Sequence, residues 1–168
     1  MNFEKIIADA RASSFGLWKL NLGLSRMIPF NRPHGIKIAK IEEDKVVTQI
    51  KYKRRNLNHI KGIHACGLAT CAEFASGFLL ISKLDAKKYR LIMQTIDMEY
   101  HYQAKKDTTA EFECTDQWVK ENITNPLSSQ EKVNITCKIN LYDSERNHVA
   151  TGHTNWQIKP WDKVKTAL

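Results

Sequence analysis

Asn58-His59-Ile60-Lys61-Gly62-Ile63-His64-Ala65-Cys66-Gly67-Leu68-Ala69-Thr70-Cys71-Ala72-Glu73-Phe74-Ala75-Ser76-Gly77 is the stretch on which the reading of this chain turns. It places one carboxylate, Glu73, inside an otherwise apolar helical pattern, nine residues after His64 and fifteen after Asn58. A charge in such surroundings is costly unless it is paired or used. Leu68, Ala72, Ala75 and Leu79 form one stripe of the helix, with Phe74 and Phe78 beside it, so more than half its circumference is apolar and must be wrapped or shared. Residues 63–81 are long enough to span a bilayer. A central Glu costs on the order of 2.5–3.5 kcal/mol there if it behaves like Asp, so a buried core helix is the better reading and no integral membrane segment is expected.

On the N-terminal side, Phe3, Ile6, Ile7, Ala10, Leu17, Leu20 and Leu24 recur at helical spacing over residues 3–24, with a break around 13–16, and Pro29 and Pro33 end the region. Residues 36–41 and 46–52 read as a hairpin about the polar Glu42-Glu43-Asp44. Gly62 marks the start of the long helix, which ends near residues 82–85. Beyond it, residues 89–102 are β-rich. Residues 108–118 alternate, with Ala110, Phe112, Cys114 and Trp118 inward. Residues 119–130 read as one sizeable loop. Val133, Ile135, Cys137, Ile139 and Leu141 face inward from the next strand, and 143–147 turn the chain. In the last strand Ala150, Gly152, Thr154, Trp156 and Ile158 share a face, and Gly152 allows a helix to approach closely. The expected class is therefore α+β: an antiparallel sheet covered by one long helix.

With 168 residues, 42% of them hydrophobic, the chain fits one domain with a real core, taken as residues 1–168 with a helical extension over 1–30 and the sheet-and-helix core over 36–160. The excess of 26 basic over 18 acidic residues, +8 in all, favours an anionic partner. Basic residues cluster at Lys51, Lys53, Arg54 and Arg55 and again at Lys83, Lys87, Lys88 and Arg90, without the aromatic interleaving of a single-strand nucleic-acid binder, and no nucleic-acid partner is expected. The four cysteines have no CxxC pairing, which argues against zinc and against a disulfide framework, and they read as small buried residues of a reducing, cytoplasmic compartment. Glu4, Lys5, Asp9 and Arg11 interrupt what would otherwise be a leader's apolar run.

The element order and the residues around the helix start resemble the hotdog fold, in which a sheet curls around a central helix and two subunits pair edge to edge. The closest resemblance is to acyl-CoA thioesterases related to those of phenylacetate pathways, and the pattern is also similar to a poorly characterised bacterial hotdog family. In the thioesterase branch an Asn precedes a His-Gly-Gly by six residues and an acid follows the His by nine; Asn58, His64 and Glu73 stand at those separations. The chain departs from that pattern in reading His64-Ala65-Cys66, with a glycine only at Gly67.

The resemblance implies a thioester hydrolase acting on acyl-CoA or acyl-carrier-protein substrates. Glu73 would activate water or attack directly, Asn58 would orient the water or carbonyl, the amide of Ala65 or Cys66 would hold the oxyanion, and His64 would fix the loop or assist the thiolate. Gly67 would line the substrate site. Arg54 and Arg55, or Lys83, Lys87, Lys88 and Arg90, would meet the phosphates of coenzyme A, which enters as part of the substrate; no other cofactor and no metal is expected. A homodimer or a dimer of dimers is implied. The competing readings are a non-catalytic acyl or lipid binder on the same scaffold, in which the Ala65 methyl blocks the carbonyl, and a peripheral membrane protein using residues 3–24, whose acidic residues argue against it. Asp143 and His148 have the five-residue spacing of hotdog hydratases but fall in a polar turn.

Overall fold

The computed structural model describes residues 3–165. Two helices open the chain, α1 (Phe3–Ala12) and α2 (Ser14–Met27), meeting at a corner where Ser13 caps α2 by accepting from the Gly16 amide. Glycine is required at that corner, because a Cβ on residue 16 would lie 2.0 Å from the Asp9 carbonyl oxygen. A single turn, α3 (Asn31–His34), follows and ends on Gly35 in the left-handed conformation. Then come β1 (Lys37–Ile41), β2 (Lys45–Ile50), the long helix α4 (Ala65–Lys83), β3 (Tyr89–Tyr100), β4 (Thr108–Glu113), β5 (Val133–Asp143) and β6 (His148–Pro160).

The six strands form one antiparallel sheet in the order β1-β2-β4-β5-β6-β3. Helix α4 packs on β2, β4, β5, β6 and β3, so the sheet curls around it as the apolar circumference of the helix requires. By length and composition α4 is long and apolar enough to cross a membrane, yet Leu68, Ala72, Ala75 and Leu79 are buried against the sheet, as a core helix must be. Two polar ties fix its seat. The Thr48 hydroxyl donates to the Cys71 carbonyl at 2.7 Å, joining α4 to β2. On the other side the Trp156 indole N–H is shared between the hydroxyls of Ser76 and Thr154, joining α4 to β6. Gly152 sits beneath the helix, where a Cβ would come within 3.2 Å of the Ala72 methyl.

Two stretches depart from the sequence reading. The strand expected to continue to Trp118 stops at Glu113, because Thr115 turns the chain and caps a short helix, α5 (Asp116–Val119), by accepting from the Trp118 amide. The segment expected to be a loop then continues as wide helical turns and a last short helix, α6 (Asn125–Leu127), anchored in the core by Ile123 and Leu127. Cys71, Cys114 and Cys137 are buried, and burial pushes their thiols up to about 12. Cys66 is exposed, contrary to expectation: it lies in the first turn of α4, ahead of Leu68, the first buried residue of the helix.

Candidate functional site

The start of α4 is built by the loop before it. Asn58 Oδ1 accepts from the amides of Ile60 and Gly62, closing a tight turn in which Lys61 takes a left-handed φ of 60°. The Asn56 side chain, buried, donates to the carbonyls of His34 and Lys51 and meets His34 Nδ1 at 3.2 Å, while its backbone carbonyl accepts the His64 amide at 2.7 Å. The helix start is thereby pinned to both the N-terminal segment and the end of β2. The phenol of Tyr100, reaching across from the last residue of β3, donates to the Ala65 carbonyl at 3.0 Å. Sequence reading passed over Asn56, His34 and Tyr100, whose roles depend on contacts that no spacing along the chain announces.

His64 is the N-cap of α4. Its Nδ1 accepts from the Cys66 amide at 3.1 Å, which puts the proton of the neutral ring on Nε2. The amides of Gly67 and Leu68 both point to the His64 carbonyl, at 2.9 and 3.2 Å. Of the four N–H groups that a helix leaves open at its start, three are therefore satisfied, and the Ala65 amide alone has no partner among the described residues. It carries the positive end of a 19-residue helix.

Beside this amide lies a cavity of about 290 Å³, lined mainly by apolar groups from Phe30, Ile36, Ile50 and Leu57, with His34, Arg55, Asn56, His64, Cys66, Gly67 and Thr70 completing it. Its volume is at the lower end of the roughly 300–1,000 Å³ usual for small-ligand sites. Gly67 permits the close approach of α4 to β2, since a Cβ there would stand 2.9 Å from the Ile50 terminal methyl.

Glu73 does not line that cavity. It lies two turns further along α4, on the half-exposed flank that carries Cys66, Ala69 and Thr70, and neither a hydrogen bond nor an ion pair reaches its carboxylate among the described residues. Burial alone pushes its carboxyl above the usual range. The basic residues separate. Arg55 is at the cavity and donates to the Pro33 carbonyl, and Arg54 is its neighbour in a short turn. Lys83, at the far end of α4, has a side chain only 4% exposed and bridges Asp44 and Asp116 at 2.7 and 2.5 Å, which leaves its charge satisfied. Lys87 and Lys88 border a second, more open surface depression with Trp161, remote from the helix start, and Arg90 lies in β3 opposite Lys159. Asp143 accepts from Glu145 and Asn147, which makes it the brace of its turn. The described residues hold no cluster of three or more His, Cys, Asp or Glu with metal-binding geometry.

Among solved structures the chain is similar to a Pseudomonas aeruginosa protein of unknown function described as a probable thioesterase, with TM-score 0.75 and 20% identity over 81% of this chain and 90% of that one. It is also similar to a Chlorobaculum tepidum protein of unknown function (TM-score 0.73, 15% identity, 84% and 92% covered) and to a thioesterase of Haemophilus influenzae (TM-score 0.69, 14% identity, 88% and 93% covered). At such identities the likeness establishes the fold, which is the hotdog fold the sequence resembled. None of the curated proteins matches the chain. A family model covering residues 16–158 does match, and the chain belongs to that family, the domain of unknown function DUF4442.

Proposed function

We propose that this protein hydrolyses acyl thioesters of coenzyme A or of an acyl carrier protein, as a homodimer or larger assembly. The observation that carries the reading is the Ala65 amide, the one open donor at the start of α4, set between His64 and Cys66, which both line an apolar cavity. Donors fixed in advance where an oxyanion develops are among the largest contributions to acyl-transfer catalysis. Glu73, unpaired and held above the usual carboxylate range, suits a general base or nucleophile. Eight residues of α-helix separate the two, about 12 Å along the axis, too far for both to serve one carbonyl carbon. In this reading Ala65 of one chain pairs with Glu73 of a second copy. Strand β3 offers the edge for that assembly: twelve residues long, paired only to β6, with Ile92 and Tyr100 exposed by 42% and 47%. In this reading the acyl group occupies the cavity, Arg54 and Arg55 take the phosphates, and Asn58 acts by shaping the loop that presents His64.

The test is thiol release from short, long and aromatic acyl-CoAs by wild type and Glu73→Gln at equal folded concentration. Turnover that falls by roughly 10²–10⁴ in the variant supports the proposal. Acyl-CoA binding without turnover by the wild type would sink it in favour of a non-catalytic acyl binder.

A further inference from the structure

The N-terminal helices leave a surface that the fold does not use. On α2 the residues Gly16 and Leu20 are buried, while Phe15, Trp18, Lys19, Leu22 and Arg26 form the opposite, exposed face. Phe15 and Trp18 are 61% and 57% exposed and stack on one another with ring centroids 5.8 Å apart, and the Lys19 ammonium sits 4.4 Å over the Phe15 ring. Met27 and Phe30, 74% and 63% exposed, continue the row past the end of the helix. Large aromatic and aliphatic side chains that share one exposed face mark an interaction site.

Charge identifies its partner. Residues 12–41 contain Lys19, Arg26, Arg32, Lys37 and Lys40 and neither Asp nor Glu. The acidic residues that argued against an interfacial helix, Glu4 and Asp9, belong to α1, on the other side of the break at Ser13. A helix with Trp, Phe and Leu on its outward face, flanked by Lys and Arg and free of acids, has the make-up of a segment lying in a bilayer interface. Trp favours that depth and basic side chains are drawn to anionic headgroups. We propose that the outer face of α2, with Met27 and Phe30, docks onto an anionic lipid bilayer. Phe30 also lines the cavity at the start of α4, so the docked face is continuous with the cavity rim. The docking stands on this surface alone and is independent of the thioesterase reading.

The test is co-sedimentation of the full chain with vesicles of phosphatidylcholine alone and of phosphatidylcholine mixed with phosphatidylglycerol, at low and high salt. Binding is expected to the anionic vesicles and to weaken with salt. Each basic side chain at such a surface is worth about fivefold, so Lys19→Glu with Arg26→Glu should lower partitioning by at least about 25-fold. Phe15→Ser with Trp18→Ser should lower it by about tenfold or more. The charge variant alters only exposed side chains, so it keeps the test decisive if the aromatic variant loses its circular dichroism. Lipids brominated near the interface should quench tryptophan emission in the wild type and much less in Trp18→Phe. Failure to sediment with anionic vesicles at low salt, or equal partitioning of wild type and the charge variant, would overturn the proposal. So would an aromatic variant that dissociates an assembly of a wild type unable to bind vesicles, since a second copy would then cover the face.

Discussion

Replacing Ala65 by proline removes one hydrogen-bond donor and little else, which makes it a direct test of the oxyanion role. Residue 65 is the first residue of α4, the position at which proline is over-represented in helices because its missing N–H has no intrahelical partner. The residue before it must be extended, and His64 already is, at φ −60° and ψ 137°. The carbonyl of residue 65 stays available to Tyr100, and the cap from Cys66 to His64 is untouched. Stability should therefore change by no more than about 1 kcal/mol. Loss of a single oxyanion donor costs about 2.7–4 kcal/mol in the transition state, or 10²–10³ in kcat. Steady-state thiol release, read as kcat and KM separately, together with a urea midpoint, measures both effects. Ala65→Gly, which keeps the N–H, serves as the control and should retain activity. An Ala65→Pro protein that folds with wild-type stability and keeps kcat within about threefold would refute the assignment of the open amide to the oxyanion.

Glu73→Gln should stabilise the fold while removing turnover. Burial raises the folded carboxyl above its ordinary 4.5, so the folded chain binds more protons than the unfolded one between those two values, and wild-type stability falls as pH rises through that window and stays lower above it. Each pK unit is worth about 1.4 kcal/mol, and urea midpoints at pH 5 and pH 8 should show the dependence in wild type and its loss in the variant. Co-expressing Ala65→Pro with Glu73→Gln chains should restore about a quarter of wild-type activity if sites form across a dimer: half of randomly mixed dimers are heterodimers, and each has one intact site of two. Homodimers of either variant stay inactive, and absence of rescue in purified mixed dimers would place both groups in one chain. Gly77→Ala drives a methyl to 2.9 Å from the Trp156 ring, which Ser76 and Thr154 hold in place, and should cost about 1–3 kcal/mol in a denaturant titration.

Much of the fold was legible because β5 and the second half of β6 bury every other residue, and a two-residue period names both the strand and its inward face. The apolar girth of α4 likewise announced a wrapped helix. The stretch after Glu113 was misread because Trp118 fell in phase with the strand before it, while the signal that ends the strand, the Thr115 hydroxyl on the Trp118 amide, is a local bond that periodicity does not register. Spacing also singled out His64 and Glu73 as the ends of one candidate site. It could not say which amide was open, because that depends on the His64 ring turning back onto Cys66. Nor could it foresee that Lys83 is already paired, since its aspartate partners stand 39 and 33 residues away in the chain.

Two groups on α4 that have no partner among the described residues are of opposite kind, a donor at Ala65 and an acceptor at Glu73. Elsewhere on the helix polar atoms are matched: Thr48 to the Cys71 carbonyl, Ser76 to Thr154 and Trp156, Lys83 to two aspartates. A sequence that satisfies its buried polar groups this thoroughly has no structural reason to put a glutamate at position 73, where alanine would serve the helix better by propensity and remove the desolvation cost. Local rules broken in a fold that otherwise keeps them point to function. A donor and a carboxylate about 12 Å apart on one helix would become a single site if a second α4 lay beside the first, as proposed. If the proposed site is formed in this way, catalysis and assembly stand or fall together: a variant that separates the chains should silence the site without touching either residue.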